Sequence, residues 1–224
     1  MNIKNNWDNS VKKKHYNVYP NETVVRFIFN YFKKNSKKKI LDLGCGAGSN
    51  LKVLKDQGLD YYGLDSSRLA LKIAIKSYKK NIYFGNFADQ INFKDRFFDG
   101  IIDRMSLGHN TEQNIDKALI NIKKKLKKGG FFLTMFFSNK CSDLKFGKKC
   151  KKNKFSYYNF SKGQFKYCDI VFAPTLQYIK KKLKNVKDFG LTIKSSFKII
   201  DIVEHMTKSK KTNSVFYSII LQKN

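Results

Sequence analysis

Gly44, Gly46 and Gly48 sit at alternate positions directly after the apolar run Ile40-Leu41-Asp42-Leu43. An ordinary turn needs one glycine or two; three so close allow positive φ and bring the backbone near a ligand. The stretch Ser49-Asn50-Leu51-Lys52 reads as the start of a helix, and the first N–H groups of a helix have no partner inside it. Further along, Asp65 ends a second apolar run, Tyr61-Tyr62-Gly63-Leu64. Asp103, Arg104 and His109 share the stretch DRMSLGHN. His109, with an ordinary pKa of about 6.5, could take a proton from a hydroxyl, amine or thiol. Its competing role is a cap on the helix that begins near Thr111. Asp103 is the second candidate base. Arg104 could hold an acidic group or simply pair with Asp103.

The elements that must position these groups alternate. Helical spacing covers 21–34 (Val24, Val25, Ile28, Phe29 and Phe32), starting at Pro20-Asn21. A buried strand at 40–43 leads into a helix stopped by Gly58. A strand ends at Asp65, a helix follows from Arg68, and a third strand lies in NIYFGNF. A fourth falls near 98–103. A helix with Ile115, Leu119, Ile122 and Leu126 inward is closed by Gly129, before a fifth strand in FFLTMFFS. Strands alternating with helices predict βαβ crossovers and a mostly parallel sheet covered on both faces. In such sheets ligands bind beyond the carboxyl ends of the strands, where the glycines lie. Residues 138–172 show little periodicity and read as an insertion or lid, whose interleaved aromatics and Lys could hold a base, a sugar or a nucleic-acid backbone, with a hairpin packing Phe and Tyr the favoured reading. Residues 174–189 look helical, and SFKIIDIVEHM with NSVFYSIILQK predicts an antiparallel hairpin. The reading is one domain, with 1–36 as an N-terminal cap and helix.

The spacing of the glycines narrows the ligand. A dinucleotide fingerprint needs its third glycine at position 49, which is Ser49, and a P-loop needs Gly-Lys-Ser/Thr, which is missing. The run G-x-G-x-G after Leu41-Asp42-Leu43 closely resembles motif I of the class I methyltransferases that use S-adenosylmethionine. Phe98 to Arg104 resembles motif IV of that superfamily, and KKLKKGGFFL the approach to its fifth strand, with Lys128 where a proline is usual. The resemblance covers about residues 38–137. It implies an α/β, Rossmann-like, doubly wound seven-stranded sheet, six strands parallel and the last antiparallel, with the lid inserted after strand 5. It implies S-adenosyl-L-methionine as cofactor, in a pocket of Asp42, Gly44, Cys45, Gly46, Asn50, Asp65, Ser66, Asn86, Phe87 and Asp103. Asp65 would accept from the ribose hydroxyls. Asn86 stands where the family usually has an acid; its amide could pair with adenine and Phe87 could stack on the ring. Asp103, Arg104 and His109 would face the acceptor, with Trp7, His15, Tyr16 and Tyr19 in the cap above.

Composition bounds the partner. Hydrophobic residues make up 42% and aromatics 15%, enough for a core. The net charge of +29 invites a phosphate-bearing partner. Yet 42 of the basic residues are Lys and only 4 are Arg, the type suited to bidentate phosphate contacts, beside 21 Asn. That is the usage of an AT-rich genome, and it favours a solvated basic surface. The expected partner is therefore a small-molecule acceptor, a metabolite or sugar intermediate. RNA methylation is the first alternative, and a non-catalytic nucleic-acid-binding protein that keeps the fold is the second. Against RNA, no Asn/Asp-Pro-Pro-aromatic motif follows position 103, and neither Pro20 nor Pro174 precedes a Cys. Cys45, Cys141, Cys150 and Cys168 form no C-x-x-C pair and no zinc spacing, so no metal is expected. Three of them within 141–168 could form a thiol-rich acceptor site of the arsenite-methyltransferase kind, but that family's spacings are not visible. No signal-peptide core and no membrane-length apolar run is present, which makes a reduced cytoplasm the expected location.

Overall fold

The computed structural model describes residues 6–14, 16–188, 191–194, 197–208 and 212–224; His15 lies outside the described residues. Its helices are α1 (Asn6–Lys12), α2 (Glu22–Tyr31), α3 (Leu51–Asp56), α4 (Arg68–Ser77), α5 (Glu112–Lys125) and α6 (Leu176–Lys184). Its first five strands are β1 (Lys39–Leu43), β2 (Asp60–Asp65), β3 (Ile82–Phe84), β4 (Phe98–Asp103) and β5 (Leu126–Phe137). Then come β6 (Lys148–Lys149), β7 (Ser156–Tyr158), β8 (Ile170–Phe172), β9 (Asn185–Asp188), β10 (Leu191–Lys194), β11 (Phe197–Lys208) and β12 (Asn213–Lys223).

Seven strands form the central sheet in the order β11-β12-β5-β4-β1-β2-β3. Pairing is parallel from β3 through β5, and β12 runs antiparallel to both β5 and β11. Six strands therefore point one way, and the reversed one sits inside the sheet beside its edge. The chain changes direction between β1 and β4, so the crevice for a ligand opens at their carboxyl ends.

Local chemistry accounts for the helix starts. Asn21, Ser67, Thr111 and Thr175 each accept a hydrogen bond from an N–H two or three residues on, at 3.1–3.2 Å. Each such cap contributes about 1 kcal/mol. On α2, Val24, Phe27 and Ile28 are buried while Phe29 is 58% exposed, so Phe27 rather than Phe29 holds the inner face. One apolar layer carries Ile115, Leu119 and Ile122 of α5 with Phe98, Phe132 and Ile179. The other carries α2 and α3 against Ile40, Ile102 and Leu133. Each fully buried Leu, Ile or Phe of these layers contributes about 1.5–3 kcal/mol.

Two boundaries differ from the sequence expectation. α5 ends at Lys125 rather than at Gly129, and β5 starts at Leu126. Arg96 and Phe97 donate their N–H groups to the carbonyls of Lys124 and Lys125, and Leu126 pairs with Phe98. α6 ends at Lys184, and the residues expected to continue it, Asn185–Asp188, pair antiparallel with Leu191–Lys194.

Residues 138–172 carry the three-stranded sheet β6-β7-β8. Phe160, Phe165, Val171 and Cys141 pack there against Met135, Phe137 and Val215 of the main sheet, as expected of an aromatic hairpin. Beneath β7 and β8, Lys182 lies 2.8 Å from Asp116 and 3.0 Å from Glu112. Glu112 also accepts from Tyr178 and Asn153, which joins α5, α6 and the start of β7. Among the described residues no helix is long and apolar enough to cross a membrane.

Candidate active site

The turn between β1 and α3 is fastened from below. Gly44 and Cys45 donate their N–H groups to the Leu64 carbonyl of β2 at 2.7 and 3.1 Å. Gly44 has φ +74°, and a Cβ there would fall 2.0 Å from Ser106 Oγ. Gly46 has φ +54° and is different, since a Cβ would meet nothing within 4 Å. It faces open space because the pocket begins there. Asp65 closes the turn from the side, accepting from the N–H of Gly46 at 2.8 Å and of Ser67 at 2.7 Å. Burial raises its pKa and these amides oppose the rise. The carboxylate thus shapes the glycine turn as well as lining the pocket.

The cavity has a volume of about 480 Å³. Its walls include Gly44, Cys45, Gly46, Asn50, Asp65, Ser66, Asn86 and Phe87, together with Arg104 and His109. Trp7 and Tyr16 of the N-terminal arm also reach it, whereas Tyr19 is 81% exposed and stands clear. The Asn86 side-chain Oδ1 accepts from Ala88 N–H, and its Nδ2 donates to the Asp89 carboxylate. Asn50 accepts from the Asn21 N–H and ties the loop to the start of α2. Burial lifts the Cys45 thiol well above the usual range, so it is a packing group and no nucleophile.

Two expected pocket residues stand behind the wall instead. Asp103 is fully buried, accepting from Leu107 N–H at 3.0 Å and from the Thr134 hydroxyl at 2.7 Å. It holds the chain where β4 turns away, and it stands outside the residues that line the cavity. Asp42 is equally buried, and neither of its oxygens has a hydrogen-bond partner among the described residues. It lies beneath the glycine turn rather than on the surface a ligand meets. Burial above all pushes both carboxyls up to about 7.

His109 reaches the cavity from the turn Leu107–His109; the helix cap it might have provided is Thr111. Its Nδ1 lies 3.3 Å from the Ile170 carbonyl of β8, which favours the Nδ1–H tautomer. Its ring meets Trp7 edge-on at 4.8 Å and Phe137 at 5.9 Å. Burial, with Arg104 adding to it, lowers its pKa to about 4. A neutral imidazole of that basicity is a weak proton acceptor at pH 7 and serves better as a hydrogen-bonding wall. Arg104 forms no ion pair among the described residues, and its Nε is buried without a partner.

Sequence reasoning had no signal for Met105, which holds φ +67° at the end of β4 and lines the cavity. That conformation costs a bulky residue about 1–2 kcal/mol and is concentrated at functional sites. The arm docks by a contact equally invisible in the sequence, Ser67 Oγ donating to Asp8 at 2.6 Å. Cys141 is buried, its thiol on the Val215 carbonyl, and no metal-holding cluster of His, Cys, Asp or Glu occurs among the described residues.

A family model described as a methyltransferase domain matches residues 13–168. The chain belongs to that family. A methyltransferase of Synechocystis, itself uncharacterised, is 30% identical over 95 residues, 42% of this chain and 45% of that protein. The chain spans less than half the length of the curated relatives it matches. Among solved structures, an S-adenosylmethionine-dependent methyltransferase from Methanosarcina mazei superposes with a TM-score of 0.70 at 18% identity, over 88% of this chain and 96% of its own. The 1,6-didemethyltoxoflavin-N1-methyltransferase of Burkholderia thailandensis, solved with 1,6-didemethyltoxoflavin and S-adenosylhomocysteine, superposes with a TM-score of 0.64 at 14% identity, over 91% and 77%. The methyltransferase fold is therefore shared, and the second of these structures holds S-adenosylhomocysteine. The open space at Gly46 and the strand-end Asp65 beside it suit that group, which binds by close backbone approach and ribose hydroxyls.

Proposed function

We propose that this methyltransferase modifies a small molecule enclosed between the N-terminal arm and the segment 138–172. The observation that carries the reading is the edge-to-face cluster of Trp7, His109 and Phe137, with Ile170 behind it. Aromatic side chains from the arm, the β4 turn and β5 thus meet at one wall of a concave cavity, the setting that suits a small acceptor. When bound, the cofactor supplies an electrophilic methyl group on a good leaving group. The chain then has to bind, orient and exclude water.

In this reading Asp65 accepts from the ribose hydroxyls, while Gly44, Cys45, Gly46, Asn50 and Ser66 shape the floor. Asn86 and Phe87 flank the adenine. Arg104 and His109 face the acceptor, and the neutral imidazole offers a hydrogen-bond acceptor without removing the proton in advance. The chain acts as one domain with 1–36 as cap and 138–172 as lid. Its four free cysteines suit a reducing cytoplasm.

The test is methyl incorporation from labelled S-adenosylmethionine into a low-molecular-weight metabolite extract, run beside total RNA. Label in the small-molecule fraction supports the proposal. Label in RNA alone replaces it with the second reading, which the charge of +29 favours.

A further inference from the structure

We infer that Arg104 is the docking point for a carboxylate carried by the acceptor, which makes small organic acids the substrate class. This rests on the small-molecule reading above. Arg104 lines the cavity, its Nε is buried without a hydrogen-bond partner, and it makes no ion pair within 4 Å among the described residues, the buried Asp42 attracting it only from behind the wall. A buried donor left unpaired is costly, and an anion carried by the ligand supplies the partner. A guanidinium fork matches the two coplanar oxygens of a carboxylate.

Charge decides between the two anions that could arrive. Asp65 is the single carboxylate on the cavity wall, and Arg104 offsets it; His109 stays neutral. Asp42 and Asp103 are sealed behind the wall, where burial works against their ionisation. The cofactor brings a sulfonium and an ammonium against one carboxylate. The loaded cavity thus keeps a surplus positive charge even if the cofactor's own carboxylate reaches Arg104. An anionic acceptor removes that surplus. Around it, Asn110 and Asn114 supply neutral polar groups, and Trp7 and Phe137 supply apolar faces. The acid therefore has a flat or apolar body.

Titration calorimetry with Arg104→Gln and Arg104→Lys tests this. The probes are S-adenosylhomocysteine, 5′-methylthioadenosine (the same thioether without the amino-acid tail), and a panel of aliphatic and aromatic monocarboxylates, each beside its neutral primary amide. On wild-type protein saturated with S-adenosylhomocysteine, which lacks the sulfonium and so leaves the guanidinium alone to tell acid from amide, at least one acid should bind about tenfold or more tightly than its amide. Arg104→Gln should abolish that preference and Arg104→Lys keep part of it, while both nucleoside probes bind as before. A loss of S-adenosylhomocysteine affinity of about tenfold in Arg104→Gln, with 5′-methylthioadenosine unaffected, would assign Arg104 to the cofactor's tail and overturn the inference. So would a panel in which no acid beats its amide. A neutral small molecule emerging from the incorporation assay overturns this inference alone, whereas label confined to RNA overturns the small-molecule reading itself.

Discussion

The two sides of the cavity are built by different means. At β1 and β2 the wall is backbone, in which Gly44, Cys45 and Gly46 donate N–H groups to the Leu64 carbonyl and the Asp65 carboxylate within one short turn. At β4 the wall is side chain, where Arg104, Met105 and His109 meet Trp7 from the arm and Ile170 from β8. A turn fastened by backbone hydrogen bonds keeps its shape whatever the neighbouring side chains are, so the first wall suits a ligand that never changes. Side chains drawn from three distant segments can be exchanged one at a time, so the second suits the variable acceptor.

That contrast makes the β4 side the softer one unless the clamp beneath it is strong, and four measurements bear on this. The largest effect is expected from Lys182→Ala, which strands Asp116 and Glu112; the loss should be about 3–5 kcal/mol of unfolding free energy by urea titration. A loss within error would mean that segment 138–172 is held by apolar packing alone. Next, Asp65→Ala should weaken S-adenosylhomocysteine by about 1.5–3 kcal/mol in calorimetry. Unaltered affinity would remove Asp65 from the ribose and leave it only the turn.

Asp103→Asn comes third. The native carboxyl has its pKa raised to about 7, so the folded state holds its proton longer than the unfolded chain does. Its contribution is complete below the unfolded carboxylate value of about 3.9 and is lost as pH rises from there through about 7, with a slope of up to about 1.4 kcal/mol per pH unit inside that window and none above it. The amide can serve both Leu107 N–H and Thr134. Thermal melts at rising pH should therefore show the variant gaining on wild type; parallel curves would mean that Asp103 is ionised throughout. The smallest effect is optical. Trp7 is the single tryptophan, and its ring meets His109. Its emission should stay flat on acidification until His109 protonates near about 4. A midpoint near the free-imidazole value of about 6.5 would put His109 in water.

The backbone wall was legible in the sequence because its parts lie close in the chain. The glycine spacing, the apolar run before it and Asp65 at the next strand end are local signals. The parallel sheet and the final hairpin followed from alternation of patterns. What failed had tertiary causes. Lys123 to Lys128 are good helix formers with no stop signal before Gly129, yet N–H groups from residues 96 and 97 capture the last carbonyls and turn Leu126 into a strand. Asp42 and Asp103 flank the motifs, and their complete burial at the ends of β1 and β4 has no mark in the local sequence. Met105 carries no mark in its residue type of the left-handed backbone it adopts, and the Asp8–Ser67 contact joins residues that no spacing rule connects.

The clamp at Lys182 also supplies a clock. The side chain is 5% exposed on a chain otherwise crowded with accessible amines. An acylating reagent in excess would consume the outer lysines first and reach Lys182 only when α6 lifts from α5. Read by peptide mass spectrometry, the slow phase of labelling at that one nitrogen measures how often α6 parts from α5, with no need to know the substrate.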